Sequence, residues 1–200
     1  FSKNSFYMLD NNFGDELFIS NLQKTLVKIC TDHQLLNKQL YDIEELMEKW
    51  HQSAPQYMAD VVPEFARYPM VAIAWACYYG IGAAVYWDAC WDKVKDSPDL
   101  YVEIRDKRGF DYMDDYVLEN MMGLNQESPK EKEAAEAKKW ISTIQQCAEY
   151  ALNAVTHQGI EPGTKQAYLI FAKVARQFFL LGVSLALYSM GYKYEKAMMN

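Results

Sequence analysis

Apolar residues recur every three or four positions along most of the chain, and no stretch of useful length alternates strictly between polar and apolar residues. That periodicity predicts helices and no sheet. The strongest stretch is Pro69 to Trp87, PMVAIAWACYYGIGAAVYW, which carries no charge and runs into Asp88, Ala89, Cys90, Trp91 and Asp92. A helix of that length is roughly 28 Å long and apolar nearly all round, as the central helix of a bundle is. It is expected to span about 69–95. A last helix is predicted over about 164–193. Ala172, Ala175, Gly182, Ala186 and Ser189 lie near one of its faces, while Ala72, Ala76, Gly80 and Ala83 do the same on the central helix. Small residues allow close backbone approach, so the two are expected to pack along their length.

The remaining elements follow from spacing and punctuation. Asn12 and Asp15 can cap a first helix with Phe18, Leu22, Leu26 and Ile29 as its apolar face, continued by His33. A second helix is expected from about Leu36 to His51, with Leu36, Leu40, Ile43, Met47 and Trp50 buried and Asp42, Glu44, Glu45, Glu48 and Lys49 on its wet side. The short break between the two makes them plausible antiparallel neighbours. Pro55, Pro63 and Pro69 then restrict the chain to short helical pieces before the central run. Ser97-Pro98 reads as an N-cap and first-turn proline, and Gly109 and Gly123 break the region 97–127 into short helices and loops. Ser128-Pro129-Lys130-Glu131 starts a long helix with the stripe Trp140, Ile144, Cys147, Ala151 and Val155, ended by Gly159. The expected fold is all-α: a single-domain helical bundle over 1–200 with five or six main helices.

A bilayer span is the competing reading of the central run. Against it, Trp75, Tyr78, Tyr79 and Tyr86 sit inside the run rather than as belts at its ends, and the flanks are mixed in charge. The second uncharged stretch, Gln177 to Tyr192, is short for a bilayer.

Composition narrows function more than fold. Half of the 200 residues are apolar, with fifteen Tyr and five Trp, enough to build a core without disulfides or metals. A net charge of −7 disfavours nucleic acid and anionic membrane surfaces as partners, and Arg105, Lys107 and Arg108 are too few to reverse that. Cys30, Cys77, Cys90 and Cys147 show no CxxC spacing, so neither a zinc knuckle nor a redox pair is indicated. Cys77 and Cys90 lie about 20 Å apart on one helix and cannot bridge. Buried free thiols point to a reducing, cytoplasmic compartment. The chain begins at Phe1 rather than Met, so a missing signal peptide says little.

Candidate chemistry is sparse. Asp88 and Asp92 stand one helical turn apart beside Trp87 and Trp91, which calls for a metal, a cationic ligand or a shared proton, or else for a structural ion pair between Asp88 and Lys173 or Arg176 if the central and last helices are antiparallel. Tyr78, Tyr79, Tyr86, Tyr168 and Tyr188 can line a pocket, although an aromatic stripe at helical spacing is more often core. Glu48 and His51 match the Glu-x-x-His spacing of di-metal bundles, but no second copy exists. Glycine-rich phosphate loops, dinucleotide fingerprints and nucleophile elbows are absent from the sequence. The candidate ligand-binding residues are therefore Asp88, Asp92, Tyr86, Tyr79 and Arg176, with no catalytic residue, metal or cofactor indicated. The leading expectation is a non-catalytic helical protein that binds a partner protein or self-associates through its small-residue and aromatic faces or the acidic segment Asp111 to Glu119. The rival is a small-molecule-binding or catalytic bundle with a pocket near Asp88 and Arg176.

Overall fold

The computed structural model describes residues 13–193. Among them the chain is all helical, with α1 Phe13–Asp32, α2 Glu44–Phe65, α3 Pro69–Val94, α4 Leu100–Arg105, α5 Met113–Asp115, α6 Glu131–Thr156 and α7 Lys165–Ser189. A 3-10 turn, Phe110–Tyr112, leads into α5, and a π-helical segment, Tyr116–Met121, follows it. The central and last helices thus match their predicted positions to within four residues. Helix α3 is the axis: it packs on α7, α2, α6 and the segment between α4 and α6.

The seam between α3 and α7 is closed by glycine. A Cβ at Gly80 would lie 2.1 Å from the Phe179 carbonyl oxygen, and one at Gly182 would lie 1.9 Å from that of Cys77. The two backbones touch where no side chain intervenes, which is the close approach that small-residue faces permit. The helices run parallel, however. Gly80 faces Phe179 and Val183, Gly182 faces Cys77 and Ile81, and further along Trp87 and Asp88 meet Tyr192. The antiparallel arrangement that would bring Lys173 or Arg176 to Asp88 does not occur. The chain between the two helices holds α6, 26 residues long and about 39 Å at helical rise, long enough to carry it back to the starting end.

Burial explains why α2 differs from its sequence reading. The helix starts at Glu44 rather than Leu36 because Gln34 and Lys38 adopt left-handed backbone conformations, φ 61° at each, and hold the preceding segment as a loop. It then continues through Pro55 and Pro63. Each proline removes one backbone hydrogen bond at a cost of about 3 kcal/mol in a helix interior, yet Trp50, Ala54, Tyr57, Met58 and Val61 form a continuous buried stripe across Pro55 whose burial offsets that loss. Pro63 falls in the last turn, where little helix remains to disrupt. Helix α1 packs chiefly on α6 and α7 rather than on its sequence neighbour α2. Leu22 and Leu26 are buried as expected, but His33 is exposed and bonds Gln146 instead of extending the apolar face. The Asn12 cap lies outside the described residues.

At the other boundaries, Asp99 rather than Ser97 caps α4, accepting from the Val102 amide at 3.2 Å. Ser97 instead turns inward to Glu103. Ser128 receives the Lys130 amide at 3.2 Å, and α6 begins at Glu131. Gly109, Gly123 and Gly159 take positive φ where chain breaks were expected. Among the described residues two helices, α3 and α7, are long and apolar enough to cross a membrane, but 72% and 83% of their most apolar windows are buried inside the protein. Most of their apolar surface is spent on other helices.

Candidate functional site

The proposed residues fall at three separate places. Tyr79 is fully buried, its hydroxyl 2.9 Å from Ser53 Oγ and 3.2 Å from the Lys49 carbonyl oxygen, and burial pushes its phenol well above the usual range. It packs against Trp50, Tyr101 and Phe179 with ring centroids 6.4, 5.5 and 4.8 Å apart. Every polar atom of Tyr79 is thus committed to the core. Arg176 lies on a small recess of about 90 Å3 with Asp15, Glu16, Ile19, Lys173 and Gln177, where Lys173 already pairs with Asp15 at 3.3 Å. Asp88 is elsewhere, exposed near the end of α3, and accepts a 2.6 Å hydrogen bond from the Tyr192 hydroxyl. Asp88 and Arg176 do not converge, because parallel packing pairs the end of α3 with the end of α7 and leaves Arg176 at a recess beside α1.

What does converge is the outer end of α3. Trp87 and Trp91, one turn apart, are half-buried, whereas Trp50, Trp75 and Trp140 are buried. The Trp87 indole N–H donates to Glu45 at 2.6 Å, and its ring meets Tyr192 at a centroid distance of 5.6 Å. Asp92 is exposed and pairs with Lys95 at 3.1 Å. Tyr86 is half-buried; desolvation, then its bond to Tyr116, push its phenol up to about 12. Cys90 departs from helical geometry, φ −156° and ψ 40°, so the last turn of α3 is kinked without a proline or glycine at that point.

Beneath this end lies Lys49, which the sequence reading put on the wet side of α2. It is 3% exposed. Its ammonium donates to the carbonyls of Lys95 and Ser97, the latter at 2.8 Å, and stands 5.7 Å from the centroid of the Trp91 ring. A cation at a helix carboxyl end satisfies carbonyls left without partners and interacts favourably with the helix dipole. Burial lowers the Lys49 pKa, opposed by the acidic field of Asp96, Glu103 and Glu48. The signal was present in the spacing: Lys49 stands three residues after buried Leu46 and four before buried Ser53, on the core side of α2.

A second polar network joins α2 to α4. Asp60 receives the Tyr101 hydroxyl at 2.6 Å, Arg105 at 2.7 Å and Gln56 at 2.9 Å, while the Arg105 guanidinium lies 5.6 Å from the centroid of the Tyr101 ring. This network locks α4 onto α2, and among the described residues no buried side-chain polar atom lacks a partner. Glu48 and His51 approach to 3.9 Å, but among the described residues no group of three His, Cys, Asp or Glu side chains is placed to hold a metal ion. The acidic segment runs along α3: Phe110 accepts from the Trp75 indole at 2.8 Å, and burial raises the Asp114 pKa.

The α3 end is therefore the place where half-buried indole rings and exposed carboxylates share one surface. Compared with protein-family models, with curated proteins and with solved structures, the chain gives no match.

Proposed function

We propose that this is a non-catalytic helical protein that binds a basic segment of a partner protein at the outer end of α3. The observation that carries the reading is the placement of half-buried Trp87 and Trp91 beside exposed Asp88 and Asp92, in a molecule whose other tryptophans are sealed. Tryptophan and tyrosine supply much of the binding energy of protein interfaces, and carboxylates beside indole rings suit Lys and Arg side chains through both charge and cation–π attraction. The small-residue faces are consumed by the α3–α7 seam and cannot serve as the interface. A two-fold self-contact through the α3 end would bring Asp88 and Asp92 against their own copies, so charge favours a basic partner over a second copy.

The test is a titration with a synthetic peptide rich in Lys and Arg with interspersed Leu, read by tryptophan emission and repeated at raised salt. Binding is expected at low salt, weakening as salt screens the carboxylates, and reduced by Trp91→Ala and by Asp88→Asn. No emission change at low salt, or binding unaltered by both substitutions, overturns the reading. Light scattering that finds a dimer abolished by Trp91→Ala would replace it with self-association.

A further inference from the structure

We infer that Cys30 and Cys147 form a reversible disulfide that ties α1 to α6, a modification independent of the peptide-binding reading. The sequence offered no redox pair because 117 positions separate the two residues and each stands alone in its own helix. The fold brings their sulfurs to 3.7 Å, both side chains fully buried and both thiols free. A disulfide bond is about 2.05 Å long, so the sulfurs need to close by roughly 1.7 Å, a displacement on the scale of side-chain torsion and small backbone adjustment. Cys77, on α3, is the competing buried thiol, but it is Cys147 that Cys30 contacts. Cys90, about 20 Å along α3 from Cys77, sits at the half-buried kink.

The oxidant is a small-molecule disulfide such as oxidised glutathione. One cysteine thiolate attacks it and expels a glutathione thiolate, forming a mixed disulfide; the second cysteine then attacks the protein-bound sulfur and expels the other glutathione. Two protein thiols and one glutathione disulfide become one protein disulfide and two glutathiones, which take up the two thiol protons. Contact with Cys30 and burial hold the Cys147 thiol in its protonated, unreactive form, so the first step passes through local opening of α1. This helix has few polar ties: Lys173 to Asp15 near its start, Gln23 to Gln177, and the His33–Gln146 bond just beyond its end. When α1 closes again the remaining thiol meets the mixed disulfide on its neighbour and displaces the second glutathione, and the resulting bond then prevents α1 from opening.

The experiment incubates the folded protein with oxidised glutathione, quenches in acid, counts thiols in denaturant and maps the linked peptides by mass. Loss of two of the four thiols is expected. The cross-link should join Cys30 to Cys147 and raise the melting temperature by on the order of 5–15 °C, because a long loop is closed in the unfolded chain. Dithiothreitol should reverse both effects. Cys147→Ser should abolish the cross-link and the shift, and Cys90→Ser should preserve them. Four thiols remaining free, a persistent single glutathione adduct, or a cross-link through Cys77 or Cys90 would each overturn the inference; the peptide map of the unsubstituted protein decides it even if a variant fails to fold.

Discussion

The two ends of α3 share one sequence character and meet opposite fates. From Ala72 to Ala84 every residue is buried, and glycine lets the backbone lie directly on α7. From Val85 onward the same apolar, aromatic run emerges to the surface, kinks at Cys90 and is held from below by a buried lysine. Hydrophobicity alone does not separate buried core from half-exposed surface. The difference is made by what packs opposite: the backbone of α7 in one half, and in the other the cation of Lys49, Glu45 and the tyrosines Tyr116 and Tyr192.

The largest expected effect attacks the buried half through Tyr79 and the two tyrosines clustered with it from α2 and α4. Tyr57, Tyr79 and Tyr101 are sealed, and burial raises all three phenols far above their ordinary values. Above about pH 10 the unfolded chain releases these protons while the folded chain retains them, so stability falls by about 1.4 kcal/mol per pH unit for each, or about 4 kcal/mol together. Lys49, lowered by burial, works in the opposite direction as one group against three. Denaturant unfolding at successive alkaline pH values checks this, and a flat profile would mean that the phenols reach water.

Gly182→Ala comes next. Its methyl group would overlap a carbonyl oxygen of α3, so the seam must separate, at a cost of about 3 kcal/mol even after the gain in helix propensity. Gly82→Ala, facing the flexible ends of Ile104 and Met121 instead of backbone, should cost clearly less. Equal midpoints for the two variants would show that backbone contact is not what holds α3 to α7. Lys49→Met should cost about 2 kcal/mol by leaving the Lys95 and Ser97 carbonyls without a donor, with a shift in Trp91 emission marking the loosened end. Asp88→Asn should change stability by less than about 0.5 kcal/mol, since the residue is exposed, while weakening peptide binding roughly threefold to tenfold. A large stability loss there would make the outer end part of the core.

Much of the helical framework was legible because it rests on local signals. Pro69 at the first turn of α3, Thr164 capping α7 by accepting from the Ala167 amide, and Gly159 after α6 act within a few residues of themselves. The errors share a cause as well. Pro55 breaks an isolated helix but not one whose apolar stripe is anchored by Trp50 and Tyr57 in the core, and a Ser-Pro pair yields its capping role when Asp99 is the better-placed oxygen. Candidate pairings failed where they required knowing which ends of two helices lie together, as for Asp88 and Arg176.

Residue order was enough to give the helical character, the two most apolar helices and the contact between their small-residue faces, because periodicity, caps and glycine act over one or two turns. Tertiary structure alone decided that α3 and α7 run parallel, that Lys49 is buried beneath Trp91, and that Cys30 meets Cys147. These depend on the path of the intervening chain, and residues far apart in sequence carry no local mark of the neighbour that folding will give them.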